Sequence, residues 1–197
     1  MQPLSTQKIW KRYEEQIKKE ISFRPVELDL DVKRLHSWMQ EPHVIPFWKL
    51  NIPFADYEIH LQKFLADHHQ SLHIGQLDGR PMSYWETYWV QDDLLGQHYD
   101  FHPEDQGVHL LIGPPSYLGK GYAAPLLRHI TYHLFQHEST QKVVAEPDIR
   151  NEKMIHVFQK CGFEFQRSIQ LPDKEAALMF CEREPFMRSW KQDDAGK

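Results

Sequence analysis

Residues 113–124 read Gly-Pro-Pro-Ser-Tyr-Leu-Gly-Lys-Gly-Tyr-Ala-Ala, between an apolar run at 108–112 and an amphipathic segment at 122–137. A strand that breaks into a glycine turn and then a helix makes an anion site. Gly119 and Gly121 lack a Cβ, so the backbone can bend tightly and approach a ligand. The first N–H groups of the helix have no internal partner, and its dipole favours negative charge there. The arrangement suits a pyrophosphate. Leu118, Gly119, Lys120, Gly121, Tyr122 and Ala123 are therefore candidate cofactor-binding residues, and an enzyme with a phosphate-bearing cofactor is the first hypothesis. A second candidate is Glu86, set among aromatics in Tyr84-Trp85-Glu86. It is read either as a contact to a substrate ammonium or as an exposed edge residue. Trp48 and Trp85, with Phe47 and Trp89, either line an acceptor pocket or fill the core. Thirteen histidines raise the question of a metal. His68, His69 and His73 lie close together, and His98 and His102 are four apart, but no Cys/His or Asp/His set has structural zinc spacing, so no metal is expected.

Composition narrows the partners. The chain has 197 residues and a net charge of 23 − 28 = −5, without a dense basic block, which argues against nucleic acid. No apolar run approaches the ~20 residues that cross a membrane, and the charged N-terminus lacks the core of a signal peptide. Cys161 and Cys181, the only cysteines, sit in apolar settings. Free buried thiols in a reducing cytoplasm are expected rather than a disulfide. A small-molecule substrate and a monomer or homodimer fit this balance.

The elements that must position these residues follow from periodicity. Ile9, Tyr13, Ile17 and Ile21, spaced by four, predict a helix over 5–21. Residues 23–28 read as a strand, and Asp29 or Asp31 as the cap of the next helix. Residues 54–68 carry an apolar stripe. The period then changes to two: 71–77 and 81–90 flank Asp78-Gly79, a type I′ hairpin signal. Trp85, Thr87 and Trp89 point one way along the second strand, and Tyr84, Glu86 and Tyr88 the other. Polar residues 91–106 read as a surface loop. Strand 107–112, the glycine turn, helix 122–137, strand 142–146, helix 152–161 and strands 163–169 and 176–182 follow. The order β-α-α-β-β-β-α-β-α-β-β predicts an α/β (α+β) fold, a mixed sheet with helices on its faces. The expected organisation is a helical N-terminal extension over 1–21, one domain over 22–187 and a C-terminal tail over 188–197.

Two segments make the chain resemble the GNAT family of acyl-CoA-dependent N-acyltransferases. Leu118-Gly-Lys-Gly121-Tyr-Ala123 is similar to the family's Q/R-x-x-G-x-G/A turn, with Leu118 where the pattern opens on Gln or Arg. Asn151, Lys160, Gly162 and Phe163 match the family's N-x-x-A-x-x-L-Y-x-K-x-G-F helix, with Phe158 in place of the usual Tyr. The likeness covers about residues 22–183. The strings Tyr84-Trp-Glu86, 107–115 and Glu146-Pro-Asp-Ile-Arg-Asn151 further resemble the siderophore-biosynthesis branch, which acylates hydroxylysine or lysine.

The resemblance implies a mostly antiparallel central sheet, and acetyl-CoA or a longer acyl-CoA as co-substrate. Its pyrophosphate would lie on the glycine turn, with Asn151 and Phe158 also at the cofactor and a backbone N–H near Leu111 and Ile112 polarising the thioester oxygen. It further implies a catalytic pair, His109 and Asp148: His109 removes the amine proton, and Asp148 orients the imidazole or holds a cationic group. The expected activity is direct acyl transfer to the side-chain amine or N-hydroxylamine of a lysine-like molecule. An aminoglycoside or other small-amine acetyltransferase, and a non-catalytic acyl-CoA-binding module, are the alternatives.

Overall fold

Period two prevails over period four at the start of the chain. The computed structural model describes residues 10–195, with side chains through residue 192. Strand β1 (Trp10–Glu14) turns back into β2 (Lys19–Pro25). Trp10 faces Phe23, Arg12 faces Ile21, and Lys18 makes the turn with φ 52°. The helix expected over 5–21 is thus replaced by a hairpin over its described part; Ile9 lies outside the described residues. The reason is non-local. β2 pairs along its length with β3 (Gln70–Leu77), with Ile21 opposite Leu77, and this buries Ile21 and Phe23 while leaving Tyr13 exposed. A four-residue spacing of apolar side chains does not hold a helix against such pairing. The expected boundary at residue 21 falls inside β2.

β3 and β4 (Arg80–Trp89) form the predicted hairpin, with positive φ at both Asp78 and Gly79. The Asp78 carboxylate accepts from Lys19 Nζ at 2.6 Å and from the Glu20 N–H at 3.0 Å, tying this turn to β2. Further along are β5 (Gln106–Ile112), α4 (Ala123–Leu134), β6 (Lys142–Ala145), α5 (Glu152–Lys160), β7 (Glu164–Gln170), β8 (Glu175–Glu182) and α6 (Arg183–Ala195). The sheet order is β1-β2-β3-β4-β5-β6-β8-β7. β5 and β6 run parallel, while β6–β8 and β7–β8 are antiparallel. This is the mixed, mostly antiparallel sheet with helices that the sequence predicts.

The described chain divides into two compact units. The first ends at Thr87 and also takes Leu110–Tyr122; the second comprises Tyr88–His109 and the chain from Ala123. In the first unit, α1 (Leu28–Met39) contributes Leu35 and Met39 and α3 (Phe54–Ala66) contributes Tyr57 and Leu61 to a core with Ile74, Tyr84 and Leu111, and Trp48 of the short α2 (Ile45–Trp48) packs against it. Neither Asp29 nor Asp31 caps α1; Glu27 occupies the cap position without a side-chain bond. Asp31 is fully buried instead, gripped by the Arg24 guanidinium at 2.6 and 2.7 Å, by Arg34, and by the Glu27 N–H at 3.0 Å.

In the second unit, α6 replaces the expected tail. Its Phe186 and Trp190, one turn apart, are buried. Trp190 stacks on Tyr132 of α4 at 4.3 Å, and Phe186 meets Phe135 at 5.3 Å. The boundary expected after residue 187 therefore falls inside a packed helix. The polar stretch 91–106 is also more ordered than a plain loop. Asp93 caps a 3₁₀ turn through the Leu95 N–H, Leu95 is buried, and Asp105 accepts from the Tyr99 hydroxyl at 3.0 Å. Cys161 and Cys181 are both free and buried.

Candidate active site

Parallel pairing of β5 with β6 brings His109 and Glu146 together. Gln106 lies opposite Val143 and Gly107 opposite Val144. Two residues further along, His109 meets Glu146, whose carboxylate is hydrogen-bonded to the imidazole Nε2. A carboxylate only accepts, so Nε2 carries the proton in this bond. Glu146 is 6% exposed, whereas the His109 side chain is 31% exposed. The other carboxylate oxygen accepts from the Tyr88 hydroxyl at 2.9 Å, and Lys174 Nζ lies 3.7 Å from Oε1. The Tyr88 and His109 rings are 4.9 Å apart. Gly107 makes this possible: a Cβ there would come within 2.0 Å of the Tyr88 ring. Burial by itself would raise the Glu146 carboxyl. Charged His109 and its hydrogen bond, the Lys174 ammonium and the Tyr88 hydroxyl prevail, and hold it well below the ordinary range.

Asp148 is placed differently from expectation. β6 ends at Ala145, and the chain then pairs with the start of β8: Pro147 C=O accepts from the Ala177 N–H, and Ile149 N–H donates to Glu175 C=O, both at 2.9 Å. Asp148 bridges to Ala176, and its buried carboxylate is held by Arg150 through the backbone N–H at 2.9 Å, Nε at 2.9 Å and Nη2 at 2.6 Å. The Arg150 hydrogen bonds lower its pKa. The carboxylate hydrogen-bonded to His109 is thus Glu146, not Asp148. Register puts Glu146 beside the imidazole, while Asp148 bridges to β8 and binds Arg150.

The glycine turn keeps its predicted character. Gly113 packs on the Trp38 indole, where a Cβ would approach to 2.1 Å, and its N–H donates to Met82 C=O at 2.9 Å. Gly119 and Gly121 adopt φ of 70° and 75°, with open space on their Cβ side. Leu118 and Lys120 are exposed, Tyr122 is half-buried, and Ala123 starts α4. Two left-handed glycines with free space before a helix N-terminus fit a pyrophosphate held by backbone N–H groups.

Other predicted cofactor residues serve the fold with their side chains. Leu111 is in the core, and Ile112 C=O accepts from His43 Nε2 at 2.8 Å. Asn151 caps α5 by accepting from the Met154 N–H. Phe158 is buried edge-on against Phe163 at 4.9 Å.

In the first unit, Glu86 is buried, not at an exposed edge, and accepts from the Tyr84 hydroxyl at 2.9 Å. Trp48 lies 5.6 Å from the Tyr84 ring. Trp85 is corrected from substrate residue to core. It is fully buried on the opposite face of β4, with Nε1 donating to Ser83 Oγ at 2.8 Å and its ring edge-on to Phe23. Strand alternation separates it from Glu86. Among the described residues no group of three or more His, Cys, Asp or Glu side chains converges as a metal cage.

Residues 27–171 match the acetyltransferase (GNAT) domain model. The chain belongs to the GNAT acetyltransferases. The N-hydroxyputrescine acetyltransferase of Acinetobacter baumannii is 35% identical to this GNAT chain, over 84% of it and 79% of the relative. The N(6)-hydroxylysine O-acetyltransferase of Escherichia coli is 31% identical, over 90% of this chain and 57% of that one. Among solved structures, an uncharacterized protein from Bacillus halodurans is 52% identical, covering 93% and 94% of the two chains with a TM-score of 0.91. The aminoglycoside acetyltransferase AAC(6')-Ib, solved with coenzyme A, is 27% identical, covering 86% and 99% with a TM-score of 0.79. This GNAT protein is an acyl-CoA-dependent N-acyltransferase, with acetyl-CoA or a longer acyl-CoA as co-substrate.

Proposed function

We propose that this GNAT enzyme transfers an acetyl or longer acyl group from acyl-CoA to the side-chain amine or N-hydroxylamine of a lysine-like or diamine small molecule, as a step of siderophore biosynthesis. The observation that carries the reading is His109, partly exposed and paired with buried Glu146. It is joined by the names of two relatives that act on N-hydroxyputrescine and N(6)-hydroxylysine. An alkylammonium has a pKa of about 10.4, so a free amine arrives charged and must lose a proton before it attacks. His109 accepts that proton. N-hydroxylation makes the nitrogen less basic, so less is asked of the imidazole. The acyl donor supplies the thioester. The backbone of 118–123 holds its pyrophosphate, and backbone N–H groups near Leu111 and Ile112 polarise the carbonyl. Glu86, with Trp48 nearby, takes a cationic group of the acceptor. Asp148, tied to Arg150, fixes the chain between β6 and α5. The two buried free thiols fit a reducing cytoplasm.

The test is thiol release from acetyl-CoA with N-hydroxyputrescine, N(6)-hydroxylysine, putrescine, lysine and kanamycin. Turnover is expected with the hydroxylamines or their parent amines, and kanamycin is expected to be poor. Preference for kanamycin would move the enzyme to the aminoglycoside reading. CoA binding with no turnover on the whole panel would leave an acyl-CoA-binding module.

A further inference from the structure

We propose that His43 is a positioning residue: its bond to the end of β5 ties the segment 41–53, which carries Trp48, to the strand whose Ile112 N–H polarises the thioester. The inference rests on that reading of Ile112 and on Trp48 as part of the acceptor side.

The end of β5 is gripped by α1 and by the chain that follows it. Along a strand, each residue turns its N–H and C=O to one side and the next residue turns them to the other. Gly113 N–H donates to Met82 C=O of β4 at 2.9 Å, so Ile112 faces away from β4. Its C=O accepts from His43 Nε2 at 2.8 Å. A carbonyl only accepts, so Nε2 carries the proton. Holding the Ile112 C=O also holds the direction of the Ile112 N–H, which lies on the same side of the strand. At the next residue the Trp38 indole fills the place of a Cβ on Gly113. Trp38 and His43 thus hold adjacent residues of one strand end, the first by packing and the second by a hydrogen bond.

The segment 41–53 needs such a tie. Pro42, Pro46 and Pro53 bring no N–H. α2 has four residues and ends at left-handed Lys49, with φ 54°, so it is too short to keep its shape unaided. Val44 is buried in the core, Trp48 lies 5.6 Å from the Tyr84 ring, and Ile52 C=O accepts from His36 Nε2 at 2.9 Å. Those contacts fasten the segment to α1 and β4. His43 adds the bond to β5, across 69 positions of sequence. The acceptor side and the donor strand are then held at one spacing. Acyl transfer needs this, because a small misplacement of the attacking nitrogen against the thioester carbon lowers the rate steeply.

The experiment pairs His43→Leu, which removes the donor and keeps an apolar side chain, with His43→Gln, which keeps an N–H of similar reach. Hydrogen exchange of the protein without substrates reads the tie itself. In His43→Leu the amides of 44–49 should exchange about tenfold faster, the worth of one hydrogen bond, with α3 unchanged. Kinetics with acetyl-CoA and either N-hydroxyputrescine or N(6)-hydroxylysine read the consequence. His43→Leu is expected to lower kcat about tenfold and to raise the acceptor KM several-fold, with CoA affinity by calorimetry unchanged. His43→Gln should return both exchange and kcat toward wild type. Wild-type exchange or wild-type kinetics in His43→Leu would overturn the proposal. Equal losses in His43→Leu and His43→Gln would overturn it too, since they would mark ring packing rather than a donated hydrogen bond. A wild-type protein that binds CoA but acylates neither hydroxylamine would sink the functional reading, and this inference with it.

Discussion

At the scale of single residues, the site depends on groups that sequence motifs do not mark. Gly107 is the sharpest case: the Tyr88 ring occupies the place of its missing Cβ at 2.0 Å. Gly107→Ala must push that ring away, taking its hydroxyl from Glu146. Overpacking of this kind costs about 1–3 kcal/mol. Denaturant unfolding is expected to show that loss, with CoA affinity retained and turnover reduced; a variant with wild-type stability and turnover would contradict the packing. His109 was visible as a strand histidine before a glycine turn. Its partner was not, because Glu146 and Asp148 both lie on one short acidic string and only one meets the ring. Trp85 and Glu86 show the same limit. Alternation placed them on opposite faces, but nothing local said which face was core.

Among the elements, those stabilised by their own residues were legible and those stabilised by distant partners were not. The β3–β4 turn reads directly from Asp78-Gly79, and the cradle from Gly119 and Gly121, since positive φ selects these residue types. Gly121→Ala tests the cradle. A left-handed L-residue costs about 1–2 kcal/mol, and no neighbour obstructs the new Cβ. The expected result is a fold with a modest loss of thermal stability and about tenfold weaker CoA binding by calorimetry. Unaltered CoA affinity would remove the turn from the pyrophosphate site. α6 escaped notice because its buried apolar residues are a single i, i+4 pair, Phe186 and Trp190, in a mostly polar stretch. Its stability comes from Tyr132 of α4 and Phe135 just past that helix, which lie some fifty residues earlier in the chain.

For the whole molecule, family and donor join the two readings. A GNAT domain match over residues 27–171 and a turn shaped for pyrophosphate require that CoA bind the folded chain and not the unfolded one. At one hundred times its dissociation constant, CoA should then add about 2.7 kcal/mol. For a chain of this size that raises Tm by roughly 5–11 °C. A thermal melt with and without CoA measures it directly, and no shift at saturating CoA would count against the cofactor assignment.

The sequence by itself determined the order of most elements, the left-handed glycines, the β3–β4 hairpin and the membership suggested by two motifs about thirty residues apart. These depend on backbone φ and on short-range periodicity, which the residue types specify locally. Tertiary structure alone decided that residues 10–25 form a hairpin, that α6 packs on α4, and that Glu146 is the carboxylate that meets His109. Strand pairing and parallel register join residues far apart in sequence, and their energies come from surfaces that exist only once the sheet has formed.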